Sequence, residues 1–298
     1  MNFRVRLIEK IKQKKSIVCV GLDPDLDSRE FPEFLLETKK PKLEFAKMII
    51  DEVSNIVAVI KPNTRYYYIN ELDQLKSIVK YAHDKDLEVI GDCKENDIGH
   101  TMAMAYKKQF NGFDFDSITV NGYFGSEGVI GSPDNLIFKK WFEKGKGLFI
   151  LIKTSNKSSK EIQDLKIVQK GKNKKTLDQD ILFLTMAKLV EEWSLKYDHT
   201  IGGVVGITYP EHMKSIRKIF NGILLLPGYG AQGGTAETVI NAIDTDRYCI
   251  INSSRGIMYG YNRIFKGKYS QEEFAKDSKK VVEKMNSNIN KYIKKKLL

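Results

Sequence analysis

The chain has 298 residues, 42% of them hydrophobic and 29% charged, and a formal net charge of +11 at pH 7. That balance suits a folded chain with a real core and argues against widespread disorder. It contains no stretch of about 18 apolar residues of the kind that spans a membrane, and the opening MNFRVRLIEKIKQKK lacks the apolar core of a secretory signal.

Short apolar runs alternate along the chain with longer amphipathic segments. The runs are IVCVGLDP (17–24), IVAVIKPN (56–63), LEVIGDCK (87–94), SITVNG (117–122), GLFILIKTS (147–155), IGGVVGIT (201–208), GILLLPG (222–228) and YCIINSSRG (248–256). Rich in Val and Ile and mostly bounded by Gly, Asn, Asp or Ser, they read as parallel strands buried on both faces. Helical spacing is expected over 42–54, 70–85, 99–110, 133–144, 177–197, 210–220, 235–243 and 271–294. In 177–197 the residues Leu182, Met186, Leu189, Val190, Trp193 and Tyr197 share one apolar face.

Eight strand–helix units predict an α/β chain folded as one (β/α)8 barrel domain, with an open doubly wound sheet as the competitor. Polar residues gather at the C-terminal ends of the runs: Asp23, Lys61, Asn63, Asp92, Lys94, Asn121, Thr154, Ser155 and Arg255. In a barrel these ends converge on one mouth, whereas in an open sheet they would form a line, so the clustering favours the barrel. The segment 156–176 is an insertion after the fifth strand, read either as a basic surface loop or as a lid over an anionic ligand.

The positive excess is spread along the chain and concentrates at 170–175 and in the Lys-rich C-terminal helix and tail, which read as solvated faces. No nucleic-acid-binding signature accompanies them. Cys19, Cys93 and Cys249 lie in apolar runs. Their odd number and the lack of a CxxC predict buried, reduced thiols and a cytoplasmic setting. The four histidines are too dispersed to suggest a metal set.

The chemistry concentrates in GDCKENDIGHT (91–101). Asp92 and Lys94 alternate along an extended segment and so point to the same side. Asp97 follows where the chain enters a helix, and Lys61 ends the neighbouring strand. Gathering carboxylates and ammonium groups at buried strand ends is costly without a purpose. Opposite them, LPGYGAQGGT (226–235) is a Gly-rich loop whose N–H groups suit an anion. Arg255, ending the eighth strand, carries a guanidinium that could hold phosphate oxygens bidentately. Barrel enzymes often bind phosphate at these two loops.

The segments GLDP, KPN, DCKENDIG, TVNGYFG, KTSN, PGYGAQGG and SSRG, in this order from residue 21 to 256, resemble those of orotidine 5′-phosphate decarboxylases, especially a branch found in some bacteria and apicomplexan parasites. The resemblance implies a homodimer that converts orotidine 5′-monophosphate to UMP with neither cofactor nor metal, and with no nucleic acid or membrane as partner. It implies a charged array of Lys61, Asp92, Lys94 and Asp97, with Lys94 the proton donor to C6. Asp97, Ile98 and Thr101 would be supplied across the dimer interface. Asp23, with Lys61 and Asp97, would hold the ribose hydroxyls. Ser155 and Asn156 would read the pyrimidine edge, and Gln232, Arg255 and loop amides would grip the phosphate. Asn63, Asn121 and Pro227 complete the expected lining. Arg65 and Tyr66 depart from the family pattern, and Glu95 is expected to face away from the array.

Two rival readings remain at this level. One is a Mg²⁺-dependent sugar-phosphate decarboxylase or synthase of the same suprafamily, which Lys61 opposes by placing an ammonium beside the would-be metal. The other is a basic nucleic-acid-binding protein without catalysis.

Overall fold

A computed structural model describes residues 1–170, 177–230, 233–243, 248–263 and 271–297. Its centre is a closed barrel of eight parallel strands. In chain order these are β1 (Val18–Leu22), β2 (Val59–Pro62), β3 (Glu88–Glu95), β4 (Ser117–Val120) and β5 (Gly147–Lys153). After a two-stranded excursion, β6 (Lys166–Lys170) and β7 (Leu177–Ile181), the barrel resumes with β8 (Ile201–Val205), β9 (Leu224–Pro227) and β10 (Cys249–Ser253). β10 closes the ring against β1, with Val20 opposite Ser253. The expected (β/α)8 architecture is therefore present, and all eight anticipated runs contribute a barrel strand.

The strands read as unbroken apolar runs because both faces are covered: every residue of β1, β2, β4, β8 and β10 is buried. The surrounding helices follow the ordinary rules. Pro41 and Pro210 open the helices Pro41–Val53 and Pro210–Arg217, where a missing N–H costs nothing. Helix Leu72–Asp84 buries Leu75, Ile78, Val79 and Ala82, a 3.6-residue stripe facing the strands.

Three sequence expectations need correction. The segment 177–197 is not helical throughout: its first five residues form β7, which pairs antiparallel with β6, and the helix runs Leu182–Leu195. The insertion is thus a hairpin on a short helical base, with residues 171–176 outside the described part. The segments 133–144 and 235–243 shrink to the short helices Lys139–Glu143 and Ala236–Val239.

One element was not anticipated: helix Phe3–Lys14, whose Phe3, Leu7 and Ile11 are buried. It caps the N-terminal end of the barrel, with Phe3 packed edge-on against Phe149 at 6.0 Å. Polar contacts fix it there. Arg6 donates two hydrogen bonds to Glu88 of β3, at 3.2 and 3.0 Å, and one to the Gly145 carbonyl. Beside them Asp116 accepts from Val89 N at 2.9 Å and lies 2.8 Å from His83 Nε2. All three cysteines are buried, as their apolar runs imply.

Burial disfavours a charged His83, but the hydrogen bond and attraction from Asp116, with help from Asp114, outweigh it and raise the imidazole pKa. A raised folded-state pKa means that the charged form stabilises the fold below the unfolded value of about 6.5 and that this contribution fades as pH rises through the folded value. His83→Gln should therefore lower the urea midpoint more at pH 6 than at pH 9. Equal losses at both pH values would rule out the charged pair.

Candidate active site

The C-terminal ends of the strands bring the charged residues together as the barrel requires. Lys61, at the end of β2, pairs with Gly21 of β1 and is 3% exposed. Its Nζ donates to Asp92 Oδ2 at 2.5 Å. Lys94 Nζ donates to Asp92 Oδ1 at 2.6 Å. One carboxylate thus lies between two ammonium groups.

Burial penalises the Lys61 charge, yet Asp92, and then Asp23, attract it strongly enough to hold its pKa well above the usual lysine value. Burial likewise penalises the Asp92 carboxylate, and Lys61 and Lys94 overcome that and hold its pKa well below the usual range. The depressed acid contributes stability above about pH 4 and the raised base contributes it below about pH 10, so the pair is intact across the neutral range.

Asp92 and Lys94 do share a side, but simple strand alternation is not the reason. The pairing of β3 with β4 shifts register between Gly91 and Glu95, and Lys94 takes a left-handed backbone with φ of +50°. That conformation costs a non-glycine residue roughly 1–3 kcal/mol and clusters at functional sites. Thr119 of β4 supports it. Its buried hydroxyl accepts from Lys94 N at 2.9 Å and donates to Asp92 Oδ1 at 3.0 Å. Sequence reasoning missed Thr119, although strand alternation puts it on the same face as Ser117.

Asp92, Lys61 and Asp23 line a cavity of about 410 Å³ together with Tyr66, Pro227, Gly228, Tyr229, Asn252, Ser253, Ser254, Arg255 and Gly256. The same cavity is thus lined by carboxylate and ammonium groups and by the Gly-rich loop with Arg255. Asp23 Oδ1 is buried there without a hydrogen-bond partner among the described residues, an acceptor waiting for a donor. Arg255 is exposed at the start of a short helix. Close packing shapes this end: a Cβ at Gly21 would sit 2.0 Å from Ser254 Oγ. Tyr66, noted in the sequence only as a departure, is a wall of the cavity. Its loop is held by the buried Lys42, which donates to the Tyr66 carbonyl at 2.6 Å and pairs with Glu71 at 2.6 Å. Arg65 is exposed.

Other expected residues stand elsewhere. Asn63 pairs with Asp92 through a backbone bridge, and no hydrogen bond from the Asn63 or Asn121 side chain to Lys61, Asp92 or Lys94 occurs among the described residues. Each carboxamide oxygen instead accepts from the backbone N–H two residues on, Arg65 and Tyr123, and caps a short helical turn. Asp97 makes no ion pair with Lys61 or Lys94 among the described contacts; its carboxylate accepts from Ile98 N at 2.8 Å. Ile98 is 53% exposed and Thr101 is exposed too. Glu95 turns away, bonded to Gln109. Asn156 is tied into its own loop, accepting from Thr154 and donating to Ser158. With Asn121 and Thr154 it lines a second, more apolar cavity of about 590 Å³ against Phe183, Met186 and Leu189. Ser155 is half-buried at the end of β5. Gln232 lies outside the described residues.

No group of three or more His, Cys, Asp or Glu side chains able to hold a metal occurs among the described residues, and no described helix is long and apolar enough to cross a membrane. Removing Asp92 leaves a buried ammonium without its partner, which typically costs 3–5 kcal/mol. Asp92→Ala should therefore lose about that much stability in urea denaturation, and a variant as stable as the wild type would contradict the geometry.

Comparison with known proteins adds an independent line. Residues 16–264 match the model of the "Orotidine 5'-phosphate decarboxylase / HUMPS family". An orotidine 5′-phosphate decarboxylase of Clostridium perfringens is 34% identical over 297 residues, covering 97% of this chain and 98% of that protein. One from Caldicellulosiruptor saccharolyticus is 33% identical, covering 97% and 99%. Among solved structures, that of a "Putative Orotidine-monophosphate-decarboxylase from Toxoplasma gondii" superposes with a TM-score of 0.76 at 27% identity, over 95% of this chain and 98% of that one. The chain spans only 56% of a Leishmania donovani UMP synthase that it matches with a TM-score of 0.77 at 25% identity. With a family match over most of its length and relatives above 30% identity across nearly all of it, the chain belongs to the orotidine 5′-phosphate decarboxylase / HUMPS family.

Proposed function

We propose that this protein decarboxylates orotidine 5′-phosphate to UMP by electrostatics alone. The observation that carries the reading is the Lys61–Asp92–Lys94 cluster, whose Lys61 and Asp92 line a cavity shared with the Gly-rich loop and Arg255. Loss of CO₂ leaves an electron pair on C6, in the ring plane and with little resonance relief. A fixed ammonium aimed at that carbon lowers the barrier as charge develops. Lys94 is the group assigned to this task. It is bonded to a carboxylate already in place, so little reorganisation accompanies reaction, and it then passes its proton to C6.

The remaining assignments follow the cavity. Asp23, with its unpartnered oxygen, and Lys61 would hold ribose hydroxyls. Arg255 and the amides of the Gly-rich loop would hold the phosphate, with Gln232 beside them. Binding energy from the phosphate, remote from C6, can be spent on ordering the site. The exposed Ile98 and Thr101, and an Asp97 that pairs with neither lysine in its own chain, support a homodimer in which these residues complete the neighbouring subunit's site.

The magnesium-dependent alternative is disfavoured by charge. Both oxygens of Asp92 already accept from ammonium groups, so a divalent cation there would face two positive charges. Activity should be unchanged by EDTA, and a loss restored by Mg²⁺ would favour that rival.

Two measurements test the reading. Lys94→Ala should lower turnover of orotidine 5′-phosphate by about 10³-fold or more while UMP still binds; wild-type protein that leaves the substrate intact would overturn the assignment. Mixing inactive Lys94→Ala and Asp97→Ala proteins should restore about a quarter of wild-type activity, because half the random dimers carry one intact shared site. No restoration after proven subunit exchange would remove Asp97 from the neighbour's site.

A further inference from the structure

Lys153 ends β5 with no exposed surface at all, yet it has no part in the charge cluster. Its Nζ donates to Asp164 Oδ1 at 2.6 Å and lies over the rings of Tyr209 at 5.0 Å and Phe183 at 5.8 Å. Asp164 belongs to the helical base of the insertion, just before β6. A second bond runs beside the first. Gln163 Oε1 accepts from Thr154 N at 2.9 Å, and Gln163 Nε2 donates to Thr154 Oγ1 at 2.8 Å. Two consecutive residues of the β5 end, 153 and 154, are thus clamped to two consecutive residues of the insertion, 164 and 163.

The clamp governs the residues that follow. Thr154 Oγ1 donates to Asn156 Oδ1 at 2.7 Å, and Tyr209 Oη donates to the Asn156 carbonyl at 3.4 Å. From behind, Gly206 N donates to the Lys153 carbonyl at 2.8 Å. A Cβ at Gly206 would stand 2.8 Å from Ser155 Cα, so Ser155 is pressed against a backbone that only glycine allows. A fully buried lysine is a poor source of stability, since desolvation consumes most of what pairing returns, and well-packed apolar side chains often do as well. Its distinctive contribution is geometric.

We propose that Lys153 and Asp164 are positioning residues: their buried pair, with Gln163, locks the insertion to the end of β5 and sets Ser155 and Asn156 to receive the base of the nucleotide. This rests on the proposed decarboxylation and on the assignment of Ser155 and Asn156 to the pyrimidine edge that the family resemblance implies. The two ends of the ligand should then respond differently. The residues proposed to hold the sugar phosphate, Asp23, Lys61 and Arg255, lie at the ends of other strands and have no hydrogen bond to the clamp among the described residues.

The test compares UMP with ribose 5-phosphate, which lacks the base, as ligands of wild type, Lys153→Met, Asp164→Asn and the double variant Lys153→Met/Asp164→Leu. Each single variant should bind UMP about 10-fold or more weakly, with a matching rise in KM, while ribose 5-phosphate affinity stays within about 2-fold. The double variant should regain thermal stability without regaining UMP affinity. Unchanged UMP binding in a folded variant would overturn the proposal, as would equal weakening of both ligands, which marks general loosening. If the buried substitutions prevent folding, Gln163→Ala reads the same contrast at the partly exposed end of the clamp. The readout is equilibrium binding, so a wild type that binds UMP but does not decarboxylate would sink the proposed reaction and leave this test intact.

Discussion

One carboxylate organises the mouth of this barrel. Asp92 is mostly buried and accepts hydrogen bonds from Lys61, Lys94 and Thr119. Taking any of these charges out of water alone would be prohibitive; together they are tolerated because each satisfies another. The arrangement also explains the strained backbone at Lys94. A left-handed residue at the end of β3 swings the ammonium back onto Asp92, and Thr119 fixes both the backbone N–H and the carboxylate with one hydroxyl. The strain is held by β4, through hydrogen bonds to a residue 25 positions away.

The barrel makes this possible by closure. β1, β2, β3 and β4 are neighbours on one side of the ring and carry Asp23, Lys61, Asp92, Lys94 and Thr119. β10 and β9 follow on the other side of β1, before β8 and β5, and carry Arg255 and the glycine loop at their ends. A ligand spanning the cavity therefore meets a charged cluster and an anion grip that are about 160 residues apart in the chain. The opposite rim does different work: Arg6, Glu88, His83 and Asp116 hold a capping helix over the barrel floor.

The β5 insertion illustrates the limit of local pattern. Its basic composition suggests either a solvated loop or a lid, and residues 177–181 after it are expected to join the helix that follows. In the structure residues 177–181 pair with 166–170 instead. Pairing partners with a helical base between them and the barrel are not encoded in the periodicity of either segment. The same holds for Lys153 and Asp164, an ion pair visible only when the chain has turned back, and for Asn63 and Asn121, whose carboxamide oxygens cap turns.

The sequence alone determined the repeated strand–helix alternation, and with it the barrel and the convergence of Lys61, Asp92, Lys94, Asp23 and Arg255 on one mouth. Periodicity and strand-end position are local properties that survive without knowledge of neighbours. Its motifs also sufficed to place the chain within its family. Only the tertiary structure decided which groups actually touch: the two ammonium groups on opposite oxygens of Asp92, Thr119 beneath them, Tyr66 in the cavity wall, and the capping helix Phe3–Lys14. These depend on register shifts, a backbone flip at one residue and burial by distant segments. Such contacts are set by the packing of the whole ring, and no single stretch of residues contains them.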